Sequence, residues 1–301
     1  MQETPRITLN KLSKKYTGSP VYALKNVSLN IQPGEVYGFL GPNGAGKSTA
    51  IRILLNFLQP TEGGATVCNL DVVDDSIEVK RNIGYLSGDL SLYLKMTGEQ
   101  YLKYMGELQP ATSKAYIDEL IKRFKAEPKK KLGQLSRGNR QKFGIIQAFM
   151  HQPKVLILDE PTSGLDPLMQ DEFYKLIQEA KNKGSSVFIS SHIMSEVQRI
   201  CDRVGIIRDG KLISELSIAE MEGKASHTFD ITFKDKVPKK ELSFLKGCKI
   251  LSISQNDVSL VMQGRLSSLF AILANNEVIK INLGSADLDN EFLQFYKNKD
   301  K

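Results

Sequence analysis

A glycine-rich segment near the N-terminus has the residue types and spacing that bind phosphate groups. In GPNGAGKS, the residues Gly41, Gly46, Lys47 and Ser48 follow the pattern G-x-x-x-x-G-K-[ST]. The glycines let backbone N–H groups converge on phosphate oxygens, the Lys47 ammonium neutralises phosphate charge, and the Ser48 hydroxyl can bind Mg²⁺. An apolar stretch precedes the segment and helical apolar spacing follows it, so a helix directs its positive end at the same point. We therefore predict a phosphate-binding loop.

Two adjacent carboxylates follow a second apolar stretch, VLILDEP. A phosphate loop needs a carboxylate on a neighbouring strand to hold the metal, and Asp159 stands where this strand ends. Glu160 is next in sequence, so its side chain points differently, and it can polarise an attacking water instead of binding the metal. The alternative is a pair of strand-end acids that cap the next element.

A third segment, QLSRGNRQKFGIIQAF at residues 134–149, predicts a helix with an unusually polar start. Three of the five residues that open it, at 136–140, weaken helices or favour caps. A helix that begins this way is suited to meeting an anion.

The elements that must position these segments alternate along the chain. Apolar runs without alternation predict buried strands, and their alternation with helical patterns predicts a covered, mostly parallel sheet. Residues 6–12 and 21–32 alternate apolar and polar side chains and predict half-buried strands, and 204–213 predicts a hairpin with an Asp-Gly turn. The predicted buried strands are 35–40, 155–160 and 186–191, and the predicted helices are 98–127, 171–184 and 196–202.

The composition changes near residue 220. Residues 226–301 hold four strand patterns and two helix patterns, the last helix at 286–296, which is enough for a small α+β domain. The polar residues 221–226 read as a linker. We predict domains at 1–220 and 226–301.

Bulk properties are those of a soluble globular protein. The 301 residues are 41% hydrophobic and 25% charged. No apolar run approaches the roughly 18 residues of a membrane span, and the N-terminus does not resemble a secretory signal, which predicts a cytosolic protein. Cys68, Cys201 and Cys248 form no CxxC or zinc pattern and read as buried, reduced thiols.

The net charge of +7 permits contact with nucleic acid, anionic lipid or nucleotide phosphates. The densest basic run, at residues 122–131, reads as a solvated helix face and loop, with a membrane-facing patch as the alternative.

The four segments GPNGAGKST, LSRGNRQK, LILDEPTSGLD and ISSH, in this order, resemble the nucleotide-binding subunit of an ATP-binding-cassette (ABC) transporter. The resemblance covers roughly residues 6–220. It implies an α/β fold: a P-loop NTPase core with a mostly parallel sheet, an N-terminal antiparallel β subdomain and a helical subdomain at about 90–150. The small α+β C-terminal domain follows.

The resemblance also implies the cofactors ATP and Mg²⁺ and assigns roles. Tyr16 stacks on adenine, Ser48 and Asp159 bind the metal, and Glu160, His192 and Lys47 act in catalysis, with His192 contacting the γ-phosphate. The residues implied to contact the ATP phosphates are Gly41, Pro42, Asn43, Gly44, Ala45, Gly46, Lys47, Ser48 and Thr49.

In the family, the signature sequence caps the ATP held by the opposite subunit, which assigns that role to Ser136 and the Gly138 backbone. The usual form is LSGGQ, so Arg137 and Asn139 depart from it. Arg137 either strengthens the capping or is merely exposed. Residues 163–166 match the loop that communicates across the dimer.

One family feature is missing. The glutamine expected shortly after residues 83–86 falls near Gly88, which has no side chain to reach Mg²⁺ or water. Asp89 or a neighbour is a possible substitute. The departure also allows a regulatory cassette that binds ATP but hydrolyses it poorly.

Together, LSRGNRQK and IGYLSGDLSLY resemble the ATPases of bacterial drug, antibiotic and polysaccharide exporters. This implies an ATPase at the cytoplasmic face of the membrane, with a second ATPase subunit (homodimer or heterodimer) and a separate transmembrane permease. The C-terminal domain would regulate, dimerise or simply pack. The alternative is a soluble ABC ATPase acting on nucleic acid or ribosomes. One cassette without a heptad run argues against it, so no nucleic acid partner is expected.

Overall fold

A computed structural model describes residues 4–109, 112–224, 226–263 and 266–283; the predicted helix at 286–296 lies outside them. The chain forms two compact units, Met1–Glu215 and Leu216–Lys301. The division falls slightly before the predicted domain end at residue 220.

The first unit alternates strands and helices, as the apolar patterns predict. In chain order its elements are β1 (Ile7–Lys15), β2 (Tyr22–Ile31), β3 (Val36–Leu40), α1 (Lys47–Leu54), β4 (Glu62–Val67), β5 (Leu70–Asp71), α2 (Ser76–Arg81), β6 (Ile83–Leu86), α3 (Gly98–Glu107), α4 (Lys114–Arg123), α5 (Arg137–Phe149), β7 (Val155–Asp159), α6 (Pro167–Asn182), β8 (Ser186–Ser191), α7 (Met194–Ile200), β9 (Arg203–Arg208) and β10 (Lys211–Ser217), with a 3-10 turn at Leu132–Gln134.

A six-stranded sheet in the order β10-β9-β3-β8-β7-β6 forms the centre of this unit. β3 pairs in parallel with β8 and β9, and β7 pairs in parallel with β6 and β8. Every residue of β3, β7 and β8 is buried, which explains their continuous apolar runs. Because parallel strands end at one edge, Leu40, Asp159 and Ser191 meet there, and this confirms the predicted mostly parallel sheet.

A second, antiparallel sheet has the order β2-β1-β4-β5. Its alternating side chains, including Leu9 and Leu29, join one apolar core with Ile51 of α1 and Phe188 of β8. β4, β5 and α2 were not predicted, because EGGATV has two glycines and little apolar alternation. The helices α3, α4 and α5 follow this sheet in the chain, and α3 begins with a capping box between Thr97 and Gln100.

The second unit contains α8 (Ile218–Lys224), β11 (Ser226–Phe233), α9 (Lys239–Ser243), β12 (Cys248–Ile253), β13 (Asp257–Gln263), α10 (Ser267–Ala274) and β14 (Val278–Leu283). Its antiparallel sheet has the order β12-β13-β11-β14 and packs an apolar core that includes Phe229, Leu260 and Leu269. The predicted α+β class is confirmed.

The predicted linker at 221–226 is wrong, because α8 and β11 occupy nearly all of it. The helix has a local cause. Ser217 Oγ accepts from the Glu220 N–H at 3.1 Å, and Glu220 Oε2 accepts from the Ser217 N–H at 2.9 Å. This capping box, S-x-x-E in the sequence, starts α8.

The three cysteines are free, as predicted, although only Cys201 is fully buried. Within the described ranges no helix is both long and apolar enough to cross a membrane.

Candidate functional site

The predicted phosphate loop, residues 41–48, connects β3 to the start of α1. Gly46 has φ 110°, a conformation that glycine adopts without strain. A Cβ on Gly46 would also come within 2.5 Å of the Ala23 carbonyl oxygen. Glycine at this position therefore lets α1 begin at the loop, where its unpaired N–H groups and positive dipole end favour a bound anion.

Lys47 lies deep within this loop, with 5% of its surface exposed. Its Nζ donates to the carbonyl oxygens of Gly41 at 2.7 Å and Pro42 at 3.1 Å, and lies 3.8 Å from Glu160 Oε1. Burial lowers the pKa of Lys47, and the Glu160 and Asp159 carboxylates oppose that shift. An ammonium held at the centre of the loop can neutralise phosphate charge.

Asp159 ends β7 and connects two hydroxyl groups. Ser48 Oγ donates to Asp159 Oδ2 at 3.0 Å, and Ser190 Oγ donates to Asp159 Oδ1. Ser48 belongs to α1 and Ser190 to β8, so the sheet order brings these three side chains together. Hydroxyl and carboxylate oxygens are hard ligands of the kind that Mg²⁺ prefers.

Glu160 has different partners from Asp159, although both side chains line one cleft. It has φ 46°, a left-handed conformation that costs a non-glycine residue about 1–3 kcal/mol unless its surroundings hold it. The Glu160 N–H donates to the Ser190 carbonyl at 3.2 Å, and Glu160 Oε1 lies 3.0 Å from His192 Nδ1. The turn therefore aims a carboxylate and an imidazole at the same space.

Tyr16 lies near the phosphate loop. Its hydroxyl is 3.3 Å from Thr49 Oγ1, and 39% of the residue is exposed. The Lys14 ammonium lies 5.8 Å from the ring centroid. An exposed ring at this position provides a surface on which a base can stack.

Ser136 caps α5 by accepting from the Asn139 N–H at 3.3 Å, so the polar helix start predicted from the sequence is present. Hydrogen bonds and ion pairs between described residues do not connect Ser136 or Gly138 to Lys47, Ser48, Asp159 or Glu160. A Cβ on Gly138 would instead come within 2.3 Å of the Gly164 carbonyl oxygen. The residues 136–139 thus pack on the loop 163–166 of their own chain.

Arg137 contacts the same loop. Its Nη2 donates to Ser163 Oγ at 3.1 Å, an arrangement that neither interpretation of the sequence anticipated. The aliphatic part of the Arg137 side chain packs beside Gly164, since a Cβ on Gly164 would lie 3.7 Å from Arg137 Cγ.

Gly88 lies directly beside Asp159. A Cβ on Gly88 would be 3.2 Å from the Asp159 carbonyl oxygen and 3.5 Å from its Cγ. A side chain at this position would therefore begin next to Asp159, on the side from which the absent glutamine of the family is expected to reach Mg²⁺ or water. Asp89 lines the same cleft, so its role as a substitute stays a prediction.

The cleft beside Gly88 has a volume of about 570 Å³ and extends from Ser48, Asp159 and Glu160 to the loop at residues 87–92. Phe57 lines it with 62% of its surface exposed, and two further apolar residues near it, Tyr93 and Leu94, are about half exposed. Exposed apolar groups around a cleft are typical of an interaction surface.

Three further residues around the site were missed in the sequence: Ser190, Thr162 and Glu196. The doublet SS before His192 was the available signal for Ser190. Thr162 Oγ1 donates to Glu196 Oε1, and Ser191 Oγ donates to Glu196 Oε2 at 2.8 Å. No local pattern indicates that Glu196 receives both hydroxyl groups.

Comparison with known proteins identifies the family. The model of the ABC transporter family matches residues 24–163. NatA, an ABC transporter ATP-binding protein of Bacillus subtilis (strain 168), is 38% identical over 240 residues, which cover 77% of this chain and 98% of NatA. The chain belongs to the ABC transporter ATP-binding family. This ABC ATPase is also 32% identical over 299 residues to BcrA, the bacitracin transport ATP-binding protein of Bacillus licheniformis, with 96% of each chain covered.

A solved structure agrees with the ABC assignment. The dimeric bacterial ABC transporter cassette MJ0796 has 28% sequence identity and a TM-score of 0.64, covering 70% of this chain and 98% of that chain. The same cassette is known as a dimer in a post-hydrolysis state bound to ADP and Pi. The chain therefore has the ABC cassette fold and is an ATP-hydrolysing subunit.

Proposed function

We propose that this ABC ATPase powers a membrane exporter of the drug, antibiotic, lipid or polysaccharide class from the cytoplasmic face, through a separate permease. One observation carries the hydrolytic part of the proposal. Beside the phosphate loop, Ser48 is hydrogen-bonded to Asp159, and Glu160 Oε1 lies 3.0 Å from His192 Nδ1. The similarity to a bacitracin transport protein supports the exporter class.

ATP binds with its phosphates on residues 41–49 and its adenine on the Tyr16 ring. The N–H groups at the start of α1 and the Lys47 ammonium neutralise the phosphate charge. The hydrogen bond between Tyr16 and Thr49 supports this arrangement, because it keeps the exposed ring next to the loop.

Ser48 and Asp159 would hold Mg²⁺. Among the described residues no group of three or more His, Cys, Asp or Glu side chains could hold a metal ion. Two protein oxygens nevertheless suit Mg²⁺, which usually takes its other ligands from substrate phosphates and water. When bound, the ion would neutralise negative charge that develops on the ATP phosphates during hydrolysis.

Glu160 orients the attacking water and accepts its proton, and His192 donates to the γ-phosphate. The 3.0 Å contact between Glu160 and His192 supports these roles, because it directs both side chains to one point. Lys47 stays beside them and stabilises the transferred charge.

A second copy of the ATPase, or a related subunit, completes the site. Ser136 and Gly138 belong to a turn that contacts residues 163–166 and not the phosphate loop of its own chain. In a head-to-tail pair this turn caps the partner's ATP. The dimeric MJ0796 cassette supports this arrangement.

The permease contacts the cleft beside Gly88. The cleft leads from Asp159 and Glu160 to the exposed Phe57 and to Leu92, which precedes the half-exposed Tyr93 in the chain. A cytoplasmic segment of the permease that covers these apolar groups would connect its own movement with nucleotide binding.

The decisive test of the hydrolytic roles is Glu160→Gln. This substitution removes the base but keeps the side-chain shape, so turnover should fall by about a hundredfold or more, and an ATP-bound dimer should accumulate in size-exclusion chromatography. Glu107→Gln, on the exposed surface of α3, is the control and should behave as wild type. Unchanged turnover with a monomeric Glu160→Gln variant would refute the role.

Purification of the tagged chain from membranes in a mild detergent tests the partner. We expect a multi-span membrane protein to co-purify. Retention of RNA or DNA at moderate salt, without a membrane protein, would instead support the nucleic acid alternative.

A further inference from the structure

A half-buried carboxylate with two hydroxyl partners connects two loops at the edge of the site. We call Thr162, Glu196 and Ser191 the Glu196 bridge. Thr162 Oγ1 donates to Glu196 Oε1, and Ser191 Oγ donates to Glu196 Oε2 at 2.8 Å. Both oxygens of one carboxylate are therefore used, each by a hydroxyl from a different segment.

The donors of this bridge are enclosed. Thr162 is 4% exposed and Ser191 is 1% exposed. Hydrogen bonds from hydroxyls to a carboxylate are stronger than neutral ones, and a buried hydroxyl left without a partner destabilises its position. The bridge therefore fixes the backbone on both of its sides.

Each donor is adjacent to a proposed functional residue. Ser191 precedes His192, and its hydroxyl also accepts from the Ile193 N–H at 3.0 Å, which closes the turn around the histidine. Thr162 follows Glu160 by two residues and precedes the loop 163–166.

The same segment is connected to α5. Gln141, on the helix that begins with the residues 136–139, donates through Nε2 to the Pro161 carbonyl at 2.8 Å. Gln141 is 3% exposed, so this contact is buried as well as direct. A continuous set of hydrogen bonds thus runs from α5 through Pro161 and Thr162 to the turn that holds His192.

We propose that Glu196 is a positioning residue for hydrolysis: it holds the His192 turn against the Glu160 segment, so that the imidazole and the carboxylate stay aligned. This inference rests on the proposed roles of Glu160 and His192. Lys47 and Ser48, which are proposed to bind the ATP phosphates, lie at the start of α1 and do not belong to the Glu196 bridge. Loss of the bridge should therefore affect the chemical step and not ATP affinity.

The test uses substitutions of the donor, because Glu196→Ala removes both contacts and could affect folding. Thr162→Val removes the hydroxyl and keeps the side-chain shape, whereas Thr162→Ser retains the hydroxyl and removes the methyl group. In the full-length protein we expect Thr162→Val to lower kcat by roughly 10- to 100-fold, since small misplacements cost about this much. KM for ATP should stay within about twofold, and Thr162→Ser should return kcat close to wild type.

A matched control lies at the other end of the same strand as Ser191. Ser186 is fully buried and donates to the Gln32 carbonyl at 2.7 Å. Ser186→Ala should lower thermal stability about as much as Thr162→Val but leave kcat unchanged. Equal kcat for Thr162→Val and wild type would overturn the proposal. A fall in kcat that Thr162→Ser fails to restore, or that Ser186→Ala reproduces, would overturn it as well.

The experiments distinguish a wrong role for Glu196 from a wrong proposed function. If Glu160→Gln abolishes turnover while Thr162→Val does not change kcat, only the role of Glu196 is refuted. If Glu160→Gln does not change turnover, the roles of Glu160 and His192 are refuted, and with them the reason for the bridge.

Discussion

The guanidinium of Arg137 donates to the hydroxyl of Ser163 at a distance of 3.1 Å. This bond joins the polar start of α5 to the loop 163–166 within one chain, and the close approach of Gly138 to the Gly164 carbonyl joins them a second time. The two segments proposed to face a partner subunit are thus held together before any partner binds. Arg137, which stands where the family usually has glycine, is therefore held by Ser163 of its own chain.

Replacing Arg137 should therefore weaken the dimer and not ATP binding to one chain. Arg137→Gly, the family's usual residue, removes one hydrogen bond worth about 1 kcal/mol from each subunit, so ATP-dependent dimerisation in the Glu160→Gln background should weaken by up to roughly 30-fold. Analytical ultracentrifugation measures the dimer, and nucleotide titration of the monomer serves as the control. A loss greater than about a hundredfold would instead indicate direct contact of Arg137 with phosphate.

Gly88→Gln should raise ATP turnover. The new side chain would start 3.2 Å from the Asp159 carbonyl oxygen, which must move by a few tenths of an ångström, and its amide would extend into the cleft beside Asp159 and Glu160. A hydrogen bond from this amide to the attacking water that is stronger by about 1 kcal/mol in the transition state corresponds to roughly a fivefold gain in kcat. Steady-state kinetics at saturating Mg²⁺ checks this.

Gly88→Ala is the control for that steric adjustment, since it adds the Cβ without the amide. An equal fall in turnover for the alanine and glutamine variants would contradict the expectation. In that case position 88 would require glycine for its backbone.

Tyr16→Ala should lower ATP affinity, because base stacking on an aromatic ring contributes about 1–3 kcal/mol. Tyr16→Phe loses only the contact with Thr49 and should bind ATP within about threefold of wild type, since a single hydrogen bond contributes roughly 1 kcal/mol or less at an exposed site. Isothermal titration with ATP separates the two variants. Equal affinities for wild type and Tyr16→Ala would exclude the stacking role.

His151 should make the first unit less stable in mild acid. Its Nε2 lies 3.2 Å from the Ile83 carbonyl and its Nδ1 is buried without a partner. Burial lowers the pKa of His151 from 6.5, although the bond to Ile83 opposes this shift. Well above pH 6.5 the His151 imidazole is neutral in both the folded and the unfolded chain. As the pH falls below 6.5 the unfolded chain gains a proton that the folded chain resists, so the free energy of unfolding decreases.

The measurement is urea unfolding at several pH values between 7.5 and 5.5. The His151 contribution to the slope is at most about 1.4 kcal/mol per pH unit. His151→Gln keeps a donor for the Ile83 carbonyl but does not titrate, so its slope should be smaller than that of wild type. Identical slopes would show that His151 does not contribute.

Much of the fold was predictable because its signals are local. The apolar runs of β3, β7 and β8 predicted buried parallel strands, and the spacing of Gly46, Lys47 and Ser48 predicted a loop between a strand and a helix. By contrast, β4 was missed because its glycines hide the alternation, and the start of α8 was missed although S-x-x-E marks it.

Short-range patterns were enough to predict the phosphate loop and the strand that ends at Asp159, because turn chemistry and side-chain periodicity act over a few neighbouring positions. The contacts between residues far apart in the chain follow from the three-dimensional fold. Ser48 and Asp159 are 111 positions apart, and Thr162 and Glu196 are 34 apart. Such contacts depend on the order of strands in the sheet and on long-range packing, neither of which leaves a trace in any short stretch of the chain.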